Sequence, residues 1–114
     1  MINVTVYRNK NKKICGMRVT GHAGYAEEGS DIVCSAVTIL VINTVNCIER
    51  FCKEPFHCQT DEVKGGFLVC DFPELRRGKE NHDVDLLLET MVHGLNDIKH
   101  EYCNYITITD REVQ

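Results

Sequence analysis

The chain has 114 residues, 43% of them hydrophobic and 26% charged, and its formal net charge is -4. This length suffices for one domain, residues 1–114, with a single modest core. The negative charge and the absence of tryptophan argue against direct nucleic-acid binding, because RNA affinity depends largely on neutralising phosphates. Charged residues follow too closely after the N-terminus for a secretory signal. The longest apolar run, Ile32 to Ile42, is too short to span a bilayer. We therefore expect a cytoplasmic protein without membrane contact.

The first half of the chain predicts a hairpin followed by a helix. Residues 2–7 alternate between apolar and polar side chains, residues 9–13 form a polar turn, and Ile14 to Gly21 return as a second strand. The next segment, Ile32 to Cys52, is rich in Val, Ile and Leu and contains neither Gly nor Pro. This composition predicts a long buried helix.

The second half predicts another hairpin, a second helix and a last strand. Strands at 56–63 and 67–72 flank a tight Lys-Gly-Gly turn. A polar loop over 73–82 precedes apolar residues at helical spacing within 84–98, and β-branched alternation over 102–109 predicts a final strand. The predicted fold is α+β, a mainly antiparallel five-stranded sheet with two helices in the order strand, strand, helix, strand, strand, helix, strand.

A histidine and a cysteine stand where the second strand leads into the first helix. His22 follows the strand, and Cys34 lies near the helix start, with Asp31 or Ser30 as the expected N-cap. If Asp31 is the cap, Cys34 is the third helical residue, where unpaired N–H groups and the helix dipole favour a thiolate. The intervening segment is long enough to bring His22 over the helix start, so a Cys-His dyad is geometrically possible. The alternative is that Cys34 is a small core residue, because cysteine is among the most buried residue types.

Three glycines punctuate this segment. Gly21, Gly24 and Gly29 supply the backbone freedom that a mobile loop uses. A histidine at a strand end is also a poor core filler, so the context favours the dyad over two buried residues.

The remaining cysteines raise the question of a disulfide framework or a metal site. Seven cysteines without a targeting segment favour reduced thiols, and no Cys-x-x-Cys pair is present. Cys47 and Cys52 point in different directions on one helix, while Cys58 and Cys70 fall in separate strands, so burial explains them better than zinc does. We therefore predict no metal and no cofactor.

The same segment carries a long motif. Residues 21–26 read GHAGYA, and Gly29 is followed by Asp-Ile-Val-Cys at 31–34. With these residues the chain resembles the ribosomal-processing cysteine protease family, Prp, whose members are small bacterial proteins of about this length. Weaker likeness extends over nearly the whole chain. Two departures are Ser35, where the family often has Ala, and Cys103, where it often has Pro, and neither removes a catalytic group.

The resemblance implies a protease that removes a short N-terminal extension from a large-subunit ribosomal protein, the twenty-seventh in the usual numbering. Cys34 would be the nucleophile, and His22 the general base that later protonates the leaving amine. Asp31 matches the family's acidic residue, and either caps the helix or orients His22. Backbone N–H groups at the helix start, including that of Cys34, are candidate donors to the oxyanion.

The segment between the dyad residues is acidic, which suits such a substrate. Glu27, Glu28 and Asp31 would attract the basic residues that follow the cleaved extension, although Glu27 and Glu28 alone also fit a solvated turn. Tyr25 either closes over an apolar groove for the substrate or merely packs. We expect the loop to become ordered when substrate binds.

The strand Phe67 to Cys70 carries apolar residues on both faces, which favours a homodimer that covers the sheet. The alternative is a central strand buried on both faces.

Two other functions compete with the protease. A noncatalytic ribosome-associated binding module would use the basic hairpin tip formed by Arg8, Lys10, Lys12 and Lys13. The net negative charge argues against it, and those residues fit a solvated turn better. A thiol redox or acyl-transfer enzyme would use Cys34 without His22, but no resolving cysteine lies at redox-motif spacing.

Overall fold

The computed structural model describes residues 1–21, 30–61 and 67–113. Its elements, in chain order, are β1 Ile2–Arg8, β2 Ile14–Gly21, α1 Ser30–Phe51, β3 His57–Asp61, β4 Phe67–Asp71, α2 Pro73–Arg76, α3 His82–Glu101 and β5 Ile106–Glu112. The predicted order of strands and long helices is confirmed. The Lys-Gly-Gly turn predicted at 64–66 lies outside the described residues.

The five strands form one sheet in the order β3-β4-β2-β1-β5. Three of the four pairings are antiparallel, and β5 alone runs parallel to its neighbour β1. The sheet is therefore mixed, a detail that the prediction of a mainly antiparallel sheet did not specify. The parallel pairing arises because α3 returns the chain to the end of the sheet where β1 begins, as a crossover connection requires.

The helices cover one face of this sheet. Residues paired across antiparallel strands point to the same face, and the pairs Val4 with Val19 and Val6 with Met17 are all buried. On β4, Leu68 and Cys70 share this face and are also buried. Leu68 and Cys70 of β4 thus supply part of the core beneath the helices.

The two long helices pack against each other in antiparallel fashion. Leu40 of α1 lies very close to Gly94 of α3. A Cβ atom added to Gly94 would be 2.8 Å from the Cδ2 atom of Leu40. The valines at 33, 37, 41 and 45 of α1 are buried in the core. By length and composition α1 would also suffice to cross a membrane, contrary to the sequence expectation.

The helix α2 was not predicted, because residues 73–82 are polar enough to indicate a loop. Pro73 occupies its first turn, where the fixed φ of proline suits a helix start. Leu75 is 4% exposed, and its carbonyl accepts a hydrogen bond of 2.7 Å from the buried Asn9 side chain. Tertiary packing therefore stabilises a helix of four residues that local sequence does not indicate.

The prediction of reduced thiols instead of disulfides is wrong for one pair. Cys58 and Cys70 are directly opposite in the β3–β4 ladder and form a disulfide, with a Cα–Cα distance of 4.2 Å. Facing positions on adjacent antiparallel strands bring Cβ atoms within reach of each other. The signal available in the sequence was that the two cysteines fall in opposite arms of one predicted hairpin.

Candidate active site

Cys34 lies near the start of α1, at the boundary between core and surface. Its neighbour Val33 is 0% exposed and Val37 is 3% exposed, so both anchor this part of the helix on the sheet. Cys34 itself is only partly buried and takes no part in a disulfide. Cys15, by contrast, is 0% exposed. Cys34 therefore packs against the core with part of its surface open to solvent, as a reactive thiol requires.

The start of α1 differs from the sequence expectation. The helix begins at Ser30, so Asp31 and Ser30 both lie within it and neither is the N-cap. Cys34 becomes the fifth helical residue instead of the third. Because only the first four N–H groups of a helix lack an internal acceptor, the Cys34 N–H is not among the open donors. The helix dipole also acts mainly within the first turn, and Cys34 lies just beyond that turn.

The strand β2 ends at Gly21 in a conformation that suits glycine. Gly21 has a φ of +89°, and a Cβ added there would collide with the carbonyl oxygen of Met1. Gly21 therefore fixes the point at which the chain leaves the sheet toward the predicted histidine. The other residues of this segment that were predicted to belong to the site lie outside the described residues: His22, Gly24, Tyr25, Glu27, Glu28 and Gly29. The Cys-His dyad and the substrate loop accordingly stay predictions.

Several chain segments meet at one end of the sheet. The end of β2 and the start of α1 bracket residues 22–29, and Thr20 pairs with Phe67 at the start of β4. Phe67 in turn pairs with Asp61, the last residue of β3. Three parts of the chain thus converge here: the residues on either side of the predicted histidine segment, the end of the β3–β4 hairpin, and the helix that bears Cys34.

Cys34 belongs to the flank of α1 that faces away from α3. Leu40 contacts α3, and six residues at about 100° per residue place Cys34 about 120° around the helix from Leu40. Thr38 and Ile42 follow Cys34 at helical spacing, and both are exposed. Because α3 packs beside α1 and contacts β5 and β2, the flank of α1 that faces away from α3 also faces away from β5. Sequence reasoning missed this flank, although the spacing of these three residues signals a shared face.

Two of the other described thiols, Cys15 and Cys52, have raised pKa values. Burial raises the pKa of Cys15, and burial, with the nearby charge of Asp83, raises the pKa of Cys52. Both thiols are thereby kept protonated and less nucleophilic. Within residues 1–21, 30–61 and 67–113, no three His, Cys, Asp or Glu side chains are arranged as metal ligands.

Comparison with known proteins identifies the family. The sequence profile of the family described as cysteine protease Prp matches residues 1–107. The chain is 33% identical to the ribosomal processing cysteine protease Prp of Bacillus subtilis (strain 168) over 110 residues, covering 96% of each protein. It is 31% identical to the same-named Staphylococcus aureus (strain Mu50) protein over 102 residues, covering 90% of this chain and 92% of the relative.

Solved structures show the same fold. A Streptococcus mutans protein superposes with a TM-score of 0.84 at 31% identity, covering 99% of this chain and 96% of that protein. The ribosomal processing protease Prp of S. aureus, crystallised with a substrate peptide, also gives a TM-score of 0.84, at 27% identity, covering 97% and 100%. Three observations support the same family assignment: a family match over most of the chain, a relative above 30% identity, and a partly exposed cysteine on a helix. The chain is a cysteine protease and belongs to the Prp family.

Proposed function

We propose that this protease cleaves a peptide bond in the N-terminal extension of a large-subunit ribosomal protein, the twenty-seventh, with Cys34 as nucleophile and His22 as general base. The observation that carries the proposal is the partly exposed Cys34 on a helix anchored by buried neighbours, in a chain of the Prp family. Relatives named as ribosomal processing proteases, one crystallised with a substrate peptide, support a ribosomal protein as substrate. The net charge of -4 supports a protein substrate over direct nucleic-acid binding.

In the proposed mechanism, His22 accepts the proton of the Cys34 thiol as the sulfur attacks the scissile carbonyl carbon. The tetrahedral intermediate collapses to a thioester, and the leaving amine takes its proton from His22. Water, activated by His22, then hydrolyses the thioester and restores the thiol. The open N–H groups of the first turn of α1 are the nearest helical donors for the oxyanion, and one such donor contributes about 3 kcal/mol.

We further propose a substrate loop between the dyad residues. Glu27, Glu28 and Asp31 would attract a basic substrate, and Tyr25 would close over its apolar side chain. Hydrogen exchange of residues 22–33 in the Cys34→Ala variant tests this, since an uncleavable complex should increase their protection. Unchanged protection in a complex that demonstrably forms would contradict the loop proposal.

The decisive experiment is mass spectrometry of a peptide spanning the N-terminal extension of the same organism's twenty-seventh large-subunit protein. We expect one cut by the wild type and none by Cys34→Ala or His22→Ala. Cys103→Ala is a matched control, because Cys103 is also an unbridged cysteine and is exposed. Circular dichroism of each variant verifies folding. Binding without a cut by folded wild-type protein would contradict proteolysis of this substrate and favour the noncatalytic binding module.

A further inference from the structure

The strand β3 forms one outer edge of the sheet. Its described side chains, at His57, Cys58, Gln59 and Thr60, are all exposed, and within the described residues its only strand partner is β4. An uncovered edge strand presents a row of open backbone donors and acceptors to any extended chain. This edge ends at Asp61, on the side of the sheet where β2 gives way to the predicted histidine segment.

The disulfide register shows which backbone groups point outward. A Cα–Cα distance of 4.2 Å between Cys58 and Cys70 matches the narrow, non-hydrogen-bonded type of antiparallel pair, near 4.5 Å, better than the wide type, near 5.5 Å. In a narrow pair, the N–H and C=O groups of both residues point away from the partner strand.

A second observation supports this assignment. The carbonyl oxygen of Cys70 would lie 3.0 Å from a Cβ added to Gly16 of β2. The Cys70 carbonyl therefore points toward β2 and away from β3, as the narrow pairing requires. Since pair types alternate along the ladder, Thr60 repeats the orientation of Cys58. The N–H and C=O groups of Cys58 and Thr60 thus face the open edge.

We propose that the peptide substrate binds as an added β-strand on this edge of β3, with main-chain hydrogen bonds to Cys58 and Thr60. The inference rests on the proposed proteolysis and names the binding mode of that same site. Strand addition to an open edge is a common way to bind an extended peptide, in which the backbone bonds supply affinity and alternate side chains supply specificity. A strand added here would lie about 4.8 Å beyond β3.

The position of Cys34 suits this binding mode. The flank of α1 formed by Cys34, Thr38 and Ile42 faces away from α3, and α3 contacts β5, which is the edge strand opposite β3. Cys58 and Thr60 share a face with the buried Cys70 and Leu68, so their side chains point to the helix side while staying exposed. Every second side chain of the added strand would point to this side, next to the flank that bears Cys34.

The other outer strand, β5, suits a peptide less well. It carries three consecutive charged residues, Asp110, Arg111 and Glu112, and charges on an edge strand oppose pairing with another chain. Asp110 is also 3.6 Å from the guanidinium of Arg8 in an ion pair. In addition, β5 lies in the half of the sheet that α3 contacts, away from the flank of Cys34.

The test is a series of substrate peptides, each with one backbone nitrogen methylated. Affinity is measured with the Cys34→Ala variant, and kcat/KM with the wild type. Because only alternate residues of an added strand direct their N–H groups to β3, methylation should weaken binding at every second position, by about tenfold, with little effect between. Weakening that does not alternate with a period of two residues would overturn the inference without contradicting the proposed proteolysis. Failure of the wild type to cut the parent peptide would instead remove the proposed function, and the inference with it.

Variants of β3 give an independent test. Thr60→Pro removes the outward N–H without touching the bonds to β4, whereas Thr60→Val keeps that N–H and removes the hydroxyl. Edge strands tolerate proline where the N–H faces solvent, and thermal unfolding checks this. Thr60→Pro should weaken peptide binding about tenfold more than Thr60→Val. Equal affinities for the two folded variants would contradict the added strand, and if Thr60→Pro does not fold, the methylated peptides decide the question.

Discussion

At the residue scale, Gly21 is the described residue next to the predicted histidine. Gly21→Ala places a Cβ against the Met1 carbonyl at a φ of +89°, so the chain must shift as it leaves β2. A left-handed conformation costs a non-glycine residue about 1–2 kcal/mol, and a shift of about 1 Å in catalytic groups lowers rates by about a hundredfold. We expect kcat/KM on the ribosomal peptide to fall at least about tenfold.

Gly78→Ala is the matched control for this prediction. Gly78 also has a positive φ, +101°, but the nearest atoms to an added Cβ are at 3.7 and 3.8 Å, in side chains of the β1–β2 turn at the opposite end of the sheet. Gly78→Ala therefore has the strain of the left-handed conformation without a backbone collision, so it should lose about 1–2 kcal/mol of stability in a denaturant titration and keep its activity. Equal losses of kcat/KM in the two variants would show that Gly21 acts only through stability.

The reactivity of Cys15 gives a second residue-scale prediction. This thiol is 0% exposed, and burial raises its pKa. A raised pKa means that less thiolate is present at any pH below it, and the thiolate is the form that alkylates. Iodoacetamide at pH 8 should therefore leave Cys15 unmodified in the folded protein while it labels the exposed Cys103. Peptide mass spectrometry measures both sites, and rapid labelling of Cys15 without unfolding would contradict the buried environment.

At the element scale, Asn9 joins the β1–β2 hairpin to α2. Its side chain is 1% exposed and donates a hydrogen bond to the Leu75 carbonyl at 2.7 Å. It also accepts hydrogen bonds from the backbone N–H groups of Asn11 and Lys13, at 2.8 and 3.1 Å. Asn9→Ala leaves the Asn11 and Lys13 N–H groups without this acceptor, while the Leu75 carbonyl keeps its hydrogen bond from the Gly78 N–H at 3.0 Å. We expect the free energy of unfolding to fall by about 1–3 kcal/mol.

Urea titration of the two variants Asn9→Ala and Asn11→Ala tests this prediction. The Asn11 variant keeps the backbone N–H that Asn9 binds, and its side chain is exposed. It should therefore change the unfolding midpoint little. A loss below about 0.5 kcal/mol for Asn9→Ala would mean that water replaces the lost bonds, and that this turn does not hold α2.

The elements that sequence predicts well are those with strong local patterns. Alternation located β2 at its observed bounds, Ile14–Gly21, and apolar composition located α1 to within two residues at its start. What sequence missed depends on contacts between distant parts of the chain. The short α2 relies on burial of Leu75, and the Cys58–Cys70 bridge relies on strand register. The proposed site follows the same division: Cys34 was proposed from its local context, whereas the open edge of β3 emerges only from the sheet order.

At the scale of the whole molecule, the predicted homodimer needs a different surface from the one first expected. On β4, Leu68 and Cys70 lie beneath the helices, and on the opposite face Val69 lies next to Arg18 and Thr5, so that face offers little continuous apolar area. The outer side of α1 instead exposes Ile32 at 59% and Ile39 at 69%. In a two-fold dimer each residue of the interface is buried twice, once per chain. Burying an isoleucine side chain contributes about 1.5–3 kcal/mol, so this stripe would stabilise a dimer appreciably.

We therefore predict that Ile39→Glu converts a dimer to a monomer, because a carboxylate buried at the interface would lose its hydration. Sedimentation velocity at tens of micromolar protein measures the masses of wild type and variant. Leu86→Glu is the matched control, since Leu86 is also exposed, at 57%, but lies on α3. It should remain dimeric. A monomeric wild type would remove the homodimer, whereas dissociation by Leu86→Glu and not by Ile39→Glu would move the interface to α3. Since Ile39 lies on the helix that carries Cys34, loss of activity in a folded monomer would further show that dimerisation supports the site.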